Sequence, residues 1–311
     1  MVQGCCDQDS PERFFYEKGE NTVMTTFKDI IDLHTHGIGK YDTRSGSPEH
    51  IVRMAALHAK RGTGAILPTI YPDSIDVMRK NIEAVRKAIE LRESNKGASA
   101  RLLGVHLEGP FLSPARCGAL ERTGFIKPSL SSLKKLIDGY EDIVKIITVA
   151  PEIPGALKVI EKCAALGIKV NMGHSDATYK QALEGKKAGA TGITHLFNAM
   201  RPFHHREPGL VGLGLIDEEL YTEVIADGVH LHPKTVELIF NRKRLDRIIL
   251  VSDSVKGAGT GKGAIYGKDG TLAGSATTIE GVVKILRSAG IPDAEIIEAS
   301  TDNPARYIGL R

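Results

Sequence analysis

The chain has 311 residues, of which 41% are hydrophobic and 25% charged, with a formal net charge of +3. That is enough for one large α/β domain or two smaller ones, and the composition is that of a globular protein. The slight charge excess argues against nucleic acid as a partner, no apolar run is long enough to span a membrane, and the polar N-terminus lacks the apolar core of a secretory leader.

Residues 1–26 show no periodic pattern beyond a short stretch, Arg13–Lys18, that could form a strand, and are expected to be an N-terminal extension. A regular alternation then begins. Apolar runs that read as strands are Phe27–His34, Gly64–Ile70, Arg101–Leu107, Ile143–Val149, Ile168–Met172, Ala190–His195, Tyr221–Ala226 and Arg247–Val251, each short and bounded by turn residues. Helical spacing fills most of the links. Ser47–Arg61 opens on Ser-Pro and carries Ile51, Met54, Ala55 and Leu57 on one face, and Ser74–Glu93 repeats the pattern with Val77, Met78, Ile82, Val85 and Ile89. Ser129–Asp138, Pro154–Leu166, Thr178–Ala188, Pro233–Asn241, Thr278–Ala289, Asp293–Ala299 and Asp302–Tyr307 read the same way. The link between the sixth and seventh strands is the least helical and reads mostly as loop. Strands alternating with helical crossovers predict an α/β fold, a (β/α)8 TIM barrel over residues 27–311. Cys5, Cys6, Cys117 and Cys163 have no ligand spacing and are expected to be reduced thiols in a cytoplasmic protein.

The ionisable residues collect at one end of these strands. His34 and His36 lie two apart near the end of the first, so their side chains share a face about 6–7 Å apart, close enough to hold one metal ion. Glu108, His174 and His195 end the third, fifth and sixth strands; His230 follows the seventh and Asp253 ends the eighth. A barrel does not need such residues for stability, and its C-terminal rim is where active sites are built. Imidazole and carboxylate without thiolate suit Zn²⁺, Fe²⁺, Mn²⁺ or Co²⁺. Glu108, His174 and His195 would form a three-ligand site with room for water, and His34 with His36 could hold a second ion. An ion there lowers the pKa of its water from 15.7 towards about 7. Asp253 is then the general base that takes the proton and returns it to a leaving amine, and the reaction class is hydrolysis of an amide or ester. A basic cluster, His204, His205 and Arg206, lies near Asn198 and Ala199, whose backbone N–H groups could help bind an anion such as phosphate. Asp176 reads as a helix N-cap, His106 as a supporting residue at most, and His50 and His58 have no assigned role.

Taken together, DLHTHG (32–37), HLEGPF (106–111), FIKP (125–128), MGHSDA (172–177), THLFNAM (194–200), HHREPGLVG (204–212), ADGVH (226–230), VSDS (251–254), TLAGS (271–275) and DNPAR (302–306) resemble the N-acetylglucosamine-6-phosphate deacetylases of the amidohydrolase superfamily. The resemblance runs in order along nearly the whole chain. It implies Glu108, His174 and His195 as metal ligands and His34 and His36 as the extra pair of two-metal members. The ion is expected to be zinc first, with iron, manganese or cobalt as other choices. It implies Asp253 as the acid/base; Ala119, Leu120, Asn198, Ala199, Arg206 and His230 as substrate contacts; and Leu272, Ala273 and Gly274 around the acetyl group. It also implies a homodimer in which Arg206 serves the neighbouring subunit, and release of acetate and glucosamine 6-phosphate. Three departures stand out. The chain is expected to lack the usual small β-sandwich, or to keep only a vestige of it. Leu120 stands where members often have His or Gln and cannot donate a hydrogen bond. The segment between Asp253 and Thr271 is short, which implies an open pocket. These keep alive a hydrolase of another acylated amine, such as N-acetylgalactosamine 6-phosphate or an N-acyl amino acid, and more remotely a non-catalytic sugar-phosphate-binding barrel.

Overall fold

A computed structural model describes residues 30–94, 99–260, 263–267 and 269–310. Eight strands run parallel in chain order: β1 (Ile31–Thr35), β2 (Ala65–Ile70), β3 (Val105–Leu107), β4 (Val144–Val149), β5 (Lys169–Met172), β6 (Gly192–Ile193), β7 (Tyr221–Val224) and β8 (Ile248–Leu250). Each pairs with the next. The last joint, β8 to β1, is made just beyond the strand ends: His36 N donates to Ser254 O at 2.8 Å and Asp253 N to His34 O at 2.9 Å. The closure of the barrel and the placement of three candidate site residues are therefore one set of hydrogen bonds.

Between the strands lie α1 (Pro48–Lys60), α2 (Ile75–Ser94), α3 (Leu130–Ile137), α4 (Ala156–Ala165), α5 (Tyr179–Lys187), α6 (Gly209–Ile216) and α7 (Pro233–Arg242), followed by α8 (Ile279–Ser288), α9 (Asp293–Ser300) and α10 (Asp302–Tyr307). Several starts are capped as their sequences dictate. Ser47 accepts from His50 N before α1, Ser129 from Ser132 N before α3, and Thr178 and Gln181 form a reciprocal capping box at α5. The main core lies between strands and helices, with Ile66, Ile70, Leu107 and Val149 packed among Met54, Ile82, Leu133 and Val159. A smaller cluster joins Ile31, Leu33, Ala65, Leu67, Ile146 and Ile249 to Ala305 and Tyr307 of α10, so α10 covers the end of the barrel where the strands begin.

The link between β6 and β7 is mostly loop, as expected, but it also contains α6, whose sequence GLVGLGLI is buried on nearly every side. A helix apolar all round has no amphipathic stripe, and its three glycines disguise it further. One expectation is corrected: the third strand is not continuous. Arg101–Leu102 and Val105–Leu107 each pair with β2, separated by a break at Gly104. Gly104 has φ +125°, and a Cβ there would lie 2.3 Å from Ile143 O, so only glycine fits the kink.

A short hairpin, Gly37–Ile38 with Tyr41–Asp42, follows β1, and an antiparallel pair, β9 (Ala264–Tyr266) and β10 (Leu272–Ser275), follows β8. The expected extension over 1–26, its short strand Arg13–Lys18, the first residues of the predicted Phe27–His34 strand, and Cys5 and Cys6 lie outside the described residues. Cys117 and Cys163 are free thiols. Among the described residues, no helix is long and apolar enough to cross a membrane.

Candidate active site

The candidate metal-binding and acid–base side chains, His34, His36, Glu108, His174, His195 and Asp253, are delivered by the ends of strands. A bulge falls in β1 between Asp32 and Thr35, and the imidazoles of His34 and His36 converge with ring centroids 5.2 Å apart and Nε2 atoms 3.3 Å apart. Glu108, one residue past β3, lies against all four histidines. Its Oε1 is 3.1 Å from His174 Nε2, 3.2 Å from His195 Nε2 and 3.4 Å from His34 Nε2, and its Oε2 is 3.2 Å from His36 Nε2. Asp253 Oδ1 lies 3.5 Å from His34 Nε2 and 3.4 Å from His36 Nε2. His174, His195 and Asp253 all have left-handed backbone, at φ 46°, 31° and 47°. Each such residue costs on the order of 1–3 kcal/mol, and that strain concentrates where function demands a fixed geometry.

The donor set fits divalent cations. Three groups of ligand atoms lie close enough to share an ion: Glu108, His174 and His195; His34, His36 and Asp253; and, deeper in the barrel, His34, His106 and Glu223, whose His106 nitrogens are already bonded to Leu33 O and Thr148 Oγ1. The Nε2 atoms of His174 and His195 are 3.1 Å apart, while His174 Nδ1 is occupied at Arg116 O and His34 Nδ1 at Glu223. Imidazoles that donate through Nδ1 turn their Nε2 lone pairs toward one another, an arrangement that a cation between them stabilises. The electrostatics agree. With no ion between them the Nε2 atoms can instead carry protons: burial opposes a charge on Glu108, but hydrogen bonds from His174, His195, His34 and His36 outweigh it and hold the carboxyl well below the usual carboxylate range. Burial likewise opposes a charge on His34, yet Asp253, Glu108 and Glu223 hold its pKa well above the ordinary value. Surroundings that favour a proton on that ring also favour a divalent cation beside it.

A cleft of about 240 Å³ opens above this cluster, below the usual range for drug-sized ligands and suited to a small substrate. Ala119, Leu120, Asn198, Ala199, His230, Leu272, Ala273 and Gly274 all line it, with His36, Glu108, His174, His195 and Asp253. Gly274 belongs to β10, held to the site by Ser275 N donating to Asp253 O at 3.0 Å. It has φ +141°, and a Cβ there would lie 2.4 Å from Val255 Cγ1. Arg206 does not line the cleft of its own chain: it is exposed on a loop with Phe203, His204 and His205.

Asp176 is not the helix cap expected of it, since Thr178 caps α5. Instead its carboxylate bridges Arg116 Nε and Arg201 Nη2, each at 2.7 Å. Arg116 in turn presents the carbonyl that holds His174, so this ion cluster braces the site from outside. His106 bonds Leu33 O and Thr148 Oγ1, and burial holds its pKa down to about 3. It is a neutral internal support. His58, on α1, points inward and bonds Thr35 Oγ1 at 3.1 Å.

Sequence reasoning passed over four residues. Tyr71 stacks on the His36 ring at 3.8 Å, with the Arg44 guanidinium on its other side at 3.7 Å, and lines the cleft. Glu223 holds His34; a glutamate inside the otherwise apolar run Tyr221–Ala226 was a visible signal. Arg116 acts through its backbone, which no motif records. Asp227 accepts from His230 Nδ1 at 2.8 Å and from the backbone N–H groups of Val229 and His230. Burial works against a charge on His230, but Asp227 overrides it and raises its pKa. A raised folded pKa contributes stability below the unfolded value that is lost as pH rises through the folded value. Asp227→Asn is therefore expected to destabilise the protein by about 1–3 kcal/mol near pH 6 and by progressively less at a second, alkaline pH, as the pH rises through the folded pKa of His230. Denaturant unfolding at the two pH values measures the difference.

The amidohydrolase family model matches residues 30–311. The chain is 35% identical over 297 residues to the N-acetylglucosamine-6-phosphate deacetylase of Bacillus subtilis (strain 168), covering 90% of this chain and 74% of that one. It is 33% identical over 295 residues to the N-acetylgalactosamine-6-phosphate deacetylase of Escherichia coli O157:H7, covering 90% and 77%. It superposes on a mutant N-acetyl-D-glucosamine-6-phosphate deacetylase of Mycobacterium smegmatis, solved in complex with N-acetyl-D-glucosamine-6-phosphate, with a TM-score of 0.80, 29% identity and coverage of 90% and 77%. A match from the first strand to the last residue, with the same barrel and the site at its rim, establishes that the chain belongs to the amidohydrolase family.

Proposed function

We propose that this protein is a metal-dependent deacetylase that hydrolyses N-acetylglucosamine 6-phosphate to glucosamine 6-phosphate and acetate. The observation that carries this reading is the convergence of Glu108, His34, His36, His174 and His195 beneath a small cleft with Asp253 at its edge. Similarity to deacetylases over nine-tenths of the chain supports it. Glu108, His174 and His195 are the residues that would hold a divalent ion, zinc first among those the donor chemistry suits, and His34 and His36 a second. A cation held there would acidify a water and polarise the amide carbonyl. Asp253, with its other carboxylate oxygen free of these histidine contacts, takes the water's proton and delivers it to the leaving amine. His230, held at Nδ1 by Asp227, which raises its pKa, lines the cleft and orients the substrate. Leu120, Leu272 and Ala273 offer the acetyl methyl an apolar wall.

We also read the enzyme as a cytoplasmic homodimer. Free Cys117 and Cys163 support the compartment. The outward-facing Phe203–Arg206 loop supports the dimer, with Arg206 binding the substrate phosphate in the partner's cleft. On that reading Arg206→Ala raises KM for the phosphorylated sugar by about 10–100-fold, the worth of one charged hydrogen bond, and leaves kcat nearly unchanged. Unphosphorylated N-acetylglucosamine, slow with both proteins, should respond far less.

N-acetylgalactosamine 6-phosphate is the second reading, favoured by the similarity to a deacetylase of that sugar. Acetate release from the two epimers at matched metal loading decides between them. A higher kcat/KM for the gluco epimer supports the proposal; a higher value for the galacto epimer transfers the assignment. Failure with both would overturn it.

A further inference from the structure

Glu223 is buried in the barrel interior, 1% exposed, and does not line the substrate cleft. Both its carboxylate oxygens are engaged. Oε2 is 3.0 Å from His34 Nδ1, and Oε1 accepts from Asn171 Nδ2 at 2.8 Å. Asn171 Oδ1 accepts from Tyr307 OH, which lies 3.2 Å from Thr191 Oγ1. The carboxylate is thus pinned from the floor of the barrel by α10 and aimed at one imidazole. His106 is near, but its nitrogens are taken by Leu33 O and Thr148 Oγ1. A buried carboxylate is retained in an interior normally filled by apolar side chains only where its charge is answered, and here His34 is the group that answers it.

The four histidines of the site differ in this respect. His174 Nδ1 rests on a neutral carbonyl, Arg116 O. His36 Nδ1 and His195 Nδ1 have no hydrogen-bond partner among the described residues. His34 alone of the four has a carboxylate behind it. Its other nitrogen faces His36 Nε2 at 3.3 Å, Glu108 Oε1 at 3.4 Å and Asp253 Oδ1 at 3.5 Å, and it groups with His36 and Asp253 rather than with His174 and His195.

We propose that Glu223 is a positioning residue that keeps the His34 hydrogen on Nδ1 and its lone pair on Nε2, and so sets how tightly the second cation already assigned to His34 and His36 is held. The proposal rests on the reading of this rim as a metal centre. A carboxylate behind a ligating histidine fixes ring and tautomer and raises ligand basicity, and its loss typically weakens metal affinity by about 10–100-fold.

The test is a zinc titration of metal-free full-length protein against a chromophoric chelator, with metal per chain measured on the same samples. Wild type is expected to bind two ions. Glu223→Gln keeps an acceptor of the same shape without the charge; it should hold the first ion unchanged and the second about 10–100-fold more weakly. Glu223→Asp, which keeps the charge but withdraws it by one methylene, should show the same selective loss and serves if the glutamine variant does not fold. Nitrogen-15 NMR of histidine-labelled, zinc-loaded wild type should show His34 protonated at Nδ1 with a strongly downfield proton. An unchanged second affinity, equal weakening of both ions, or a His34 protonated at Nε2 would overturn the proposal. Wild type binding one ion would overturn it and leave the first site standing. Binding none would instead remove the metal-centre reading beneath it.

Discussion

Asp253→Asn is expected to lower kcat for acetate release by about 10²–10⁴-fold, the usual worth of a positioned general acid–base group, while the fold and the first metal ion survive. Asp253 has a left-handed backbone, φ 47°, a conformation asparagine tolerates nearly as well as aspartate. The hydrogen bonds that hold Asp253 in place, Asp253 N to His34 O and Ser275 N to Asp253 O, are backbone bonds and do not depend on the carboxylate. The amide of asparagine matches the shape of the carboxylate but cannot accept and return a proton. It also removes a charge 3.4–3.5 Å from His36 and His34, so any ion in that second group is held less tightly, whereas Glu108, His174 and His195 are untouched. The check is kcat, thermal midpoint and metal per chain on one preparation. A variant with most of its activity would refute the assigned role of Asp253.

Glu108→Gln should do more damage. Among the described residues, Glu108 is the one carboxylate in contact with all four of His34, His36, His174 and His195, so the substitution weakens both groups of donors at once. Loss of the ions removes several kcal/mol of transition-state stabilisation, a fall in kcat/KM on the order of 10³-fold or more. Zinc titration should show both affinities reduced, unlike the selective loss expected at Glu223. The metal-free protein gives an independent readout. Glu108 has a depressed folded pKa, so its charge contributes stability that is present above its unfolded pKa of about 4.3 and lost as pH falls through the folded value. Metal-free wild type should therefore be more stable than metal-free Glu108→Gln near pH 7, and the gap should close on acidification. A gap that widens on acidification would contradict the arrangement of charges.

How much of this was legible in the sequence depended on whether a residue works through its own side chain at a strand end. His34, His36, Glu108, His174, His195 and Asp253 announce themselves, because charged and imidazole groups following apolar runs have no packing role. The eight strands were legible for the same reason, though Ala190–His195 shrank to Gly192–Ile193. What stayed hidden works by other means. α6 is buried on nearly all sides and carries no helical stripe. Arg116 supports His174 through a carbonyl, which is the same in every residue. Asp176 has the local sequence of a cap but spends its carboxylate on Arg116 and Arg201, a choice made by tertiary contacts 60 and 25 positions away in sequence. Tyr71 reaches His36 across the β1–β2 joint, so only the folded register pairs them.

The central claim is that a metal centre on this barrel removes an acetyl group from a phosphorylated amino sugar. The most direct test follows acetate and free amine from N-acetylglucosamine 6-phosphate with one preparation in three states: as isolated, stripped by chelator, and restored with zinc, with metal per chain measured in each. The account predicts equal yields of acetate and amine that vanish with the metal and return with it. Metal-loaded, folded protein that leaves the substrate intact, or stripped protein that hydrolyses it at an undiminished rate, would contradict it.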